Sequence, residues 1–412
     1  MQCLFLRLVL TGVSLRGAAR VLAILAEALG WMTPIPHWTT GRLWLLRLGH
    51  AMLTGLKEQA TDWAWLLDHS VQIGQDKCLV ILGIRLCDLP EPGQCLTHAD
   101  MELLAVIPRK SWTGAQVKDD LEATIKVTGV PRVIVGDHGG DVSSGVALFQ
   151  ECHPETADIY DAKHKMACLL KGRLHNDPRW LDFQRQMGQT RRAIQQTELA
   201  FLVPPGAKQK ARYMNLEAEL RWAGNVLEVL RQPPPNVQAC VSPERLQEKL
   251  GWLKAFEADV AEWAEWHQVA DVTVRFVNAQ GLKVGVGEEL RAELPQPLVH
   301  SSSAALAEEL VVFVAEQADR AKPGERFPGS TEVLESCFGR FKQLEKQQAR
   351  GGFTGLLLGF GAMVAETTTQ TIKEAMEQSG TKKVFEWCKE NLGTTMFGQR
   401  KLAFQAGATK IG

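Results

Sequence analysis

Three acidic residues stand where a reactive site would form. Asp68 closes the apolar run WAWLLD (63–68), Asp137 closes VIVGD (133–137) just before the turn HGG, and Glu335 lies within STEVLESCFGRFK (330–342), behind a Pro-Gly linker. Carboxylates gathered at one place repel one another and raise each other's pKa, unless a cation offsets the charge. Mg²⁺, or Mn²⁺, suits an open site of this kind because it prefers hard oxygen ligands and keeps part of its water shell. Two such ions ~3.5–4 Å apart can activate a water or a 3′-hydroxyl and stabilise the leaving oxygen of a phosphodiester. An Asp after a strand also serves commonly as a cap for the next turn or helix. The inference therefore rests on the order and spacing of all three carboxylates. Glu332, three residues before Glu335 and on nearly the same helix face, is a rival for the third position.

The elements that must position these residues read as one α/β unit. WAWLLDHS, KCLVILGIRL, MELLAVIP, PRVIVGD and ADIYD are short β-branched or Leu-rich runs bounded by Gly, Pro and Asp, the pattern of strands. Short connections allow the first three to form an antiparallel meander. TGAQVKDDLEATIKVTG, ending at Gly129, and a second helix near 142–152 provide the crossovers that parallel strands need. If the first and fourth strands are neighbours, Asp68 and Asp137 project from one sheet edge, where α/β sites gather. Asp141, Asp158 and Asp161 lie nearby and read as caps and turn residues. Asp137 and Glu335 are 198 positions apart, so a large, mainly helical insertion interrupts the unit. Within it, ERLQEKLGWLKAFEADVAEWAEWHQV reads as one long amphipathic helix, and DVTVRFVNAQGLKVGVG is ambiguous between helix and strand pair.

Residues 1–60 read as helices. Pro34 and Pro36 break the chain, and Thr39 or Thr40 can cap a new helix near Gly41, which gives the outline of a helix-turn-helix. Six basic residues against two acidic ones give this segment a net charge of +4, enough for phosphate contact. Arg42 and Arg47 lie near the would-be recognition helix. The alternative is a helical pair that only packs on the next domain. The apolar start is interrupted by Arg7 and reads as a buried first helix, and GGFTGLLLGFGAMVA (351–365) as a packed helix; neither spans a membrane.

WLLDHSVQIGQDKCLVILGIRL, VPRVIVGDHGGDVSSG, DIYDAKHKMACLLK and STEVLESCFGRFKQLEK resemble the blocks of bacterial insertion-sequence transposases of the DDE class. The resemblance covers 60–173 and 328–350, and extends more loosely to the N-terminal helices. It implies a ribonuclease H-like core with a mixed five-stranded sheet, and a metal-dependent enzyme that cleaves at transposon ends and joins the freed 3′-hydroxyl to target DNA. Asp68, Asp137 and Glu335 match the family's catalytic, metal-holding positions. Lys342, seven residues after Glu335, matches a lysine that contacts DNA. Pro328 and Thr331 stand where many members carry Tyr and Arg, so the cleavage route is left open. The resemblance further implies two Mg²⁺ (or Mn²⁺) ions, terminal inverted repeats and target DNA as partners, a homodimer, and a bacterial cytoplasmic, nucleoid-associated location. The domain expectation is a helix-turn-helix over 1–60, a core over 61–173, an insertion over 174–325, a core helix over 326–350 and a helical tail over 351–412.

Composition fits this and excludes other classes. The chain has 412 residues with 45% hydrophobic and 23% charged content, which rules out a disordered or collagenous protein. Its net charge of -1 means that DNA contact must rest on local patches. Residues 161–192 are such a patch, with eight basic groups, among them Lys163, Lys165 and Lys171, against three acids; a solvated face is the plainer reading. Residues 244–293 carry six basic and ten acidic groups and suit a protein contact better. Trp180, Trp222, Trp252, Trp263 and Trp266 could each stack an extruded base, although Trp at helical spacing is more often core. Nine cysteines without a CxxC pair suit reduced thiols, and Cys152-His153 with His164 and Cys168 fits no standard zinc spacing. Two other functions remain in view: a nuclease of the same fold without strand transfer, and a catalytically silent DNA-binding protein of transposase descent.

Overall fold

Trp63, Trp65 and Leu67 alternate with Ala64 and Leu66, and all five are buried. A strand buried on both faces must be central in its sheet. In the computed structural model this run is β1 (Trp63–Ile73), followed by β2 (Asp76–Arg85), β3 (Glu102–Arg109), β4 (Val133–Gly136) and β5 (Ala157–Tyr160). The strands form one five-stranded mixed sheet of order β3-β2-β1-β4-β5. β1, β2 and β3 make the antiparallel meander, and β1 pairs with β4 in parallel. The structure describes residues 1–73, 76–206, 213, 216–347, 354–394 and 396–408.

In chain order the helices are α1 (Gln2–Leu10), α2 (Leu15–Leu29), α3 (Trp38–Thr54), α4 (Gly114–Thr128), α5 (Gly140–Gln150), α6 (Ala162–Leu174), α7 (Pro178–Ile194), α8 (Glu217–Arg231), α9 (Pro235–Gln238), α10 (Pro243–Leu250), α11 (Glu257–Gln280), α12 (Val286–Glu293), α13 (Ser301–Ala318), α14 (Glu332–Glu345), α15 (Gly359–Val364), α16 (Thr369–Gln378), α17 (Thr381–Asn391) and α18 (Met396–Ala408). Two compact units result. One comprises 1–159 with 330–412, the other 160–329. α6, expected with the sheet, lies in the second unit. The N-terminal helices, expected as a domain of their own, pack within the first unit.

In the first unit, α4 and α5 cover one sheet face. Val117, Leu121, Val142, Val146 and Phe149 close over Trp63, Trp65, Leu67, Leu79, Ile81 and Ile134. Thr113 caps α4 by accepting from the Gln116 N–H, with Gln116 answering to the Thr113 N–H. α3 is a central helix with α1, α2, α15, α16 and α17 around it. Glycines make that packing possible. A Cβ at Gly41 would stand 1.9 Å from the Phe5 ring, and one at Gly49 only 1.6 Å from the Leu358 carbonyl oxygen. α3 starts at Trp38 behind His37, earlier than the threonine caps predict, and the His37 Nδ1 lies 2.8 Å from the Thr39 hydroxyl.

In the second unit the 244–269 segment is two helices. A 3-10 stretch, Gly251–Phe256, divides α10 from α11. α11 then absorbs most of the ambiguous run, because Val269, Ala270, Thr273, Val274 and Val277 bury at helical spacing up to Gly281, whose φ of +68° ends the helix. The core is aromatic: Trp180 meets Trp263 edge-on at 4.9 Å, and Phe183 packs against both. Among the described residues no helix is long and apolar enough to cross a membrane.

Candidate active site

Asp68 and Asp137 are brought together by strand register. The parallel pairing of β1 and β4 runs from Ala64 opposite Val133 to Leu67 opposite Gly136. The next residue along the chain in each case is an aspartate, Asp68 still within β1 and Asp137 just past the end of β4. Neighbouring strands lie ~4.8 Å apart, and paired residues of adjacent strands point to the same face. The pleat sends Trp63, Trp65 and Leu67 towards α4 and α5, so Ala64, Leu66 and Asp68 point to the opposite face, and Asp137 goes with Asp68. Both aspartates are half-buried. On β2, Val80 stands opposite Asp68 and forms an apolar wall.

The turn after Asp137 is held tightly. Asp137 Oδ1 accepts from the Gly139 N–H at 2.9 Å, which curls the chain back over its carboxylate. His138, between them, has a φ of +53°, the left-handed region that a residue with a side chain rarely adopts. Its Nε2 lies 3.0 Å from Asp158 Oδ1 on β5. Gly140 then opens α5. Asp141, in the first turn, accepts from the Val142 N–H at 3.1 Å. Its second oxygen is 3.4 Å from Lys77 Nζ on β2 and 3.8 Å from His69 Nδ1 on β1. Burial opposes the charge of Asp141, but His69 and Lys77 hold the carboxyl below the usual range. Burial pushes the His69 imidazole below its ordinary value, against the opposing pull of Asp141. The Trp112 ring packs on His69 at 5.0 Å and donates its indole N–H to the Lys77 carbonyl. Of the three residues expected as caps or turns, Asp161 caps α6 by accepting from the His164 N–H, whereas Asp158 lies within β5 and Asp141 in the first turn of α5, where they tie the Asp137 turn to β1, β2 and β5. The run DHGGD at a strand end is the sequence signal for the turn and for Asp141, since two glycines directly after a strand mark a turn.

α14 packs against β1 and buries Leu334, Cys337, Phe338, Phe341 and Leu344. Glu332 and Glu335 both lie in its first turn and are half-buried, a position where the helix dipole favours carboxylates. The Glu332 N–H donates to Ser330 Oγ at 3.2 Å. Among the described residues, no group of three or more His, Cys, Asp or Glu side chains is arranged to hold a metal ion. Asp68 and Asp137 thus each follow the last paired residue of the β1–β4 ladder, and α14, which carries Glu332 and Glu335 in its first turn, packs against β1, short of a three-residue ligand set.

The expected DNA-contact residues divide into two groups. Lys342 is exposed in the last turn of α14, and Lys171 is exposed on α6. Lys163 and Lys165 are half-buried, and Lys165 Nζ lies 5.6 Å over the Phe313 ring. Arg42 is half-buried and lines a cavity of about 900 Å³ with Arg16, Trp38 and Cys388. Arg47 is occupied within the fold. Its guanidinium donates to the Ser379 carbonyl at 2.6 Å and to the Met376 carbonyl, tying down the end of α16. α3 is buried or half-buried along most of its length, and its exposed residues are Thr39 and Thr40 in the first turn and Thr54 at the end. The basic run on α6 and α7 is largely internally paired: Arg173 with Glu309, Arg179 with Asp259, Arg185 with Asp182, and Arg191 with the Pro204 carbonyl.

The insertion tryptophans serve the core. Trp180 and Trp263 are 0% and 2% exposed. The indole N–H groups of Trp222, Trp252 and Trp266 are taken by the Leu202 carbonyl, Thr190 and Ser302. His153 lies 3.1 Å from Glu122, and Cys168 3.5 Å from the Tyr160 hydroxyl.

A scan against protein-family models finds no match for this chain, and a search of curated proteins finds no relative of significant similarity.

Proposed function

We propose that the protein is a DNA transposase of the DDE class with a ribonuclease H-like core, acting on phosphodiester bonds with divalent metal. The observation that carries this reading is the parallel β1–β4 ladder, which ends at Leu67 opposite Gly136 with an aspartate next on each chain, together with the packing on β1 of α14, whose first turn holds Glu332 and Glu335. The strand order, with an antiparallel meander on one side and parallel β4 on the other, supports the same core. Two adjacent carboxylates fit Mg²⁺ or Mn²⁺. Such ions are held at phosphate-processing sites by one or two carboxylates, with water and substrate phosphate filling the remaining positions. Asp68 and Asp137 would hold the metal, and Glu335 from α14 would complete the set. When bound, the metal supplies an activated hydroxyl and stabilisation of the leaving oxygen.

The chain's own part is to hold oxygen ligands at a fixed spacing on a rigid edge. β1 cannot slide without moving Trp63 and Trp65 out of the core. The Gly139 N–H holds the Asp137 carboxylate in one orientation. Lys342 and Lys171 are the exposed cations of the expected set and suit phosphate contact, whereas Arg47 is committed to α16. DNA ends, a target duplex, Mg²⁺ and a second copy of the chain are the partners this reading requires.

The test is strand transfer with a pre-nicked oligonucleotide carrying an inverted-repeat end, sought in the DNA flanking the gene. D68N and D137N should abolish joining and leave DNA binding intact, and E335Q should do so where E332Q does not. Full joining by D137N would remove the mechanism. Cleavage without joining by the wild type would indicate a nuclease of the same fold. The lack of a three-residue ligand set among the described residues favours a second reading, a DNA-binding protein without catalysis, for which no metal-dependent product forms under any condition.

A further inference from the structure

We propose that His138 is a positioning residue: its hydrogen bond to Asp158 locks the turn that aims the Asp137 carboxylate. This rests on the reading of Asp137 as a metal ligand. His138 occupies a left-handed conformation, φ +53°, directly after Asp137, in a chain whose other positive-φ residues among those described are all glycines. Such a conformation is unfavourable for a residue with a side chain and persists only where the surroundings enforce it. Glycine would be the undemanding choice here, and two glycines follow at once. A histidine in this place needs a compensating contact, and the structure provides one: the imidazole reaches across to β5, with Nε2 3.0 Å from Asp158 Oδ1. The two side chains are 23% and 20% exposed, so the bond is largely shielded from water.

This bond has a direct geometric consequence. The reversal at His138 brings the Gly139 N–H back onto Asp137 Oδ1 at 2.9 Å. On the other side of the turn, Asp141 is held by Lys77. The carboxylate of Asp137 therefore projects from a turn pinned to β5 before α5 begins and to β2 after it. Asp68 needs no such device, because it lies within a continuously paired strand. Asp137 lies one residue past the end of β4 and would otherwise swing with the turn. Partners that orient a metal ligand in this way typically govern 10- to 100-fold in metal affinity.

The experiment measures Mn²⁺ binding to the full chain by the loss of the free-ion paramagnetic resonance signal, alongside thermal melting. H138A, which removes the bond but keeps a side chain in the left-handed turn, should weaken Mn²⁺ binding about tenfold and lower the melting temperature by a few degrees. H138G, which relieves the backbone but also lacks the bond, should weaken it similarly, and it keeps the test valid if H138A folds poorly. D158N, whose amide oxygen can still accept from Nε2–H, should retain most of the affinity, whereas D158A should not. If D137N loses Mn²⁺ while H138A, H138G and D158A bind as tightly as wild type, the positioning role is overturned and the metal-site reading stands. If D137N binds Mn²⁺ like wild type, Asp137 is not a ligand, and both readings fall.

Discussion

The crossing of α3 and α15 sets up a sharp test of how the first unit is built. At Gly49 the backbone of α3 meets the chain leading into α15 with no room for a side chain. A Cβ there would lie 1.6 Å from the Leu358 carbonyl oxygen and 2.6 Å from its carbon, and the obstacle is backbone that no rotamer can clear. Ordinary contact starts at 3.4 Å, so G49A must push the two segments apart by about 1.8 Å. The partner glycine adds to the constraint, because a Cβ at Gly361 would stand 2.4 Å from the Gly49 carbonyl oxygen. Overpacking of this severity costs about 3 kcal/mol. Alanine recovers ~1 kcal/mol through its better helix propensity, leaving a net loss of about 2 kcal/mol. For a unit of this size, each kcal/mol moves the melting temperature by roughly 2–4 °C, so calorimetry should show G49A melting about 4–8 °C below wild type. Gly339 is the control. It sits in α14 with nothing within 4 Å of a built Cβ, and G339A should be neutral to stabilising by up to ~1 kcal/mol. A G49A protein that melts with or above wild type would refute the backbone-on-backbone crossing.

Two further outcomes follow from particular contacts. Burial opposes the charge of Asp62, but the bonded Arg85 guanidinium holds its carboxyl below the usual range. A depressed carboxylate contributes stability that is complete above its unfolded pKa, near ~4, and is lost as pH falls through the lower folded value. The melting-temperature gap between wild type and R85M should therefore be full at neutral pH and shrink below about pH 4; a gap that stays constant or widens in acid would contradict this. W263A should destabilise the second unit by about 3–5 kcal/mol through loss of its packing on Trp180 and Phe183, with DNA affinity of the remaining folded protein unchanged. A normal melting profile with weakened DNA binding would instead restore the base-stacking role.

The sheet was readable because its signals are local. Alternation over 63–68, the short buried run 133–136 and the capped helix between strands each specify their own element, and together they leave few ways to connect. The register that aligns Asp68 with Asp137 follows once the Trp63 and Trp65 side chains must enter the core. What the sequence left open depends on contacts distant in the chain. α3 carries the polar start and apolar body of a recognition helix, but five helices converge on it, and Gly41 and Gly49 are the only local trace of that crowding. Positive charge over 161–192 looks like a DNA strip until Glu309 and Asp259, which lie far along the chain, pair with two of its arginines. The break at Gly251 shows that amphipathic spacing can persist across a change of helix type. Asp158 read only as a cap or turn residue and His138 only as part of a turn, because strain at a turn is a backbone property that residue types reveal only indirectly.

The most direct test of the central claim is anomalous scattering from crystals of the full chain soaked in Mn²⁺ with bound DNA. The account predicts a peak between Asp68 and Asp137, with carboxylate oxygens about 2.1 Å away and Glu335 drawn towards it. Manganese bound elsewhere, with the two aspartates bare while DNA lies along that sheet edge, would contradict it.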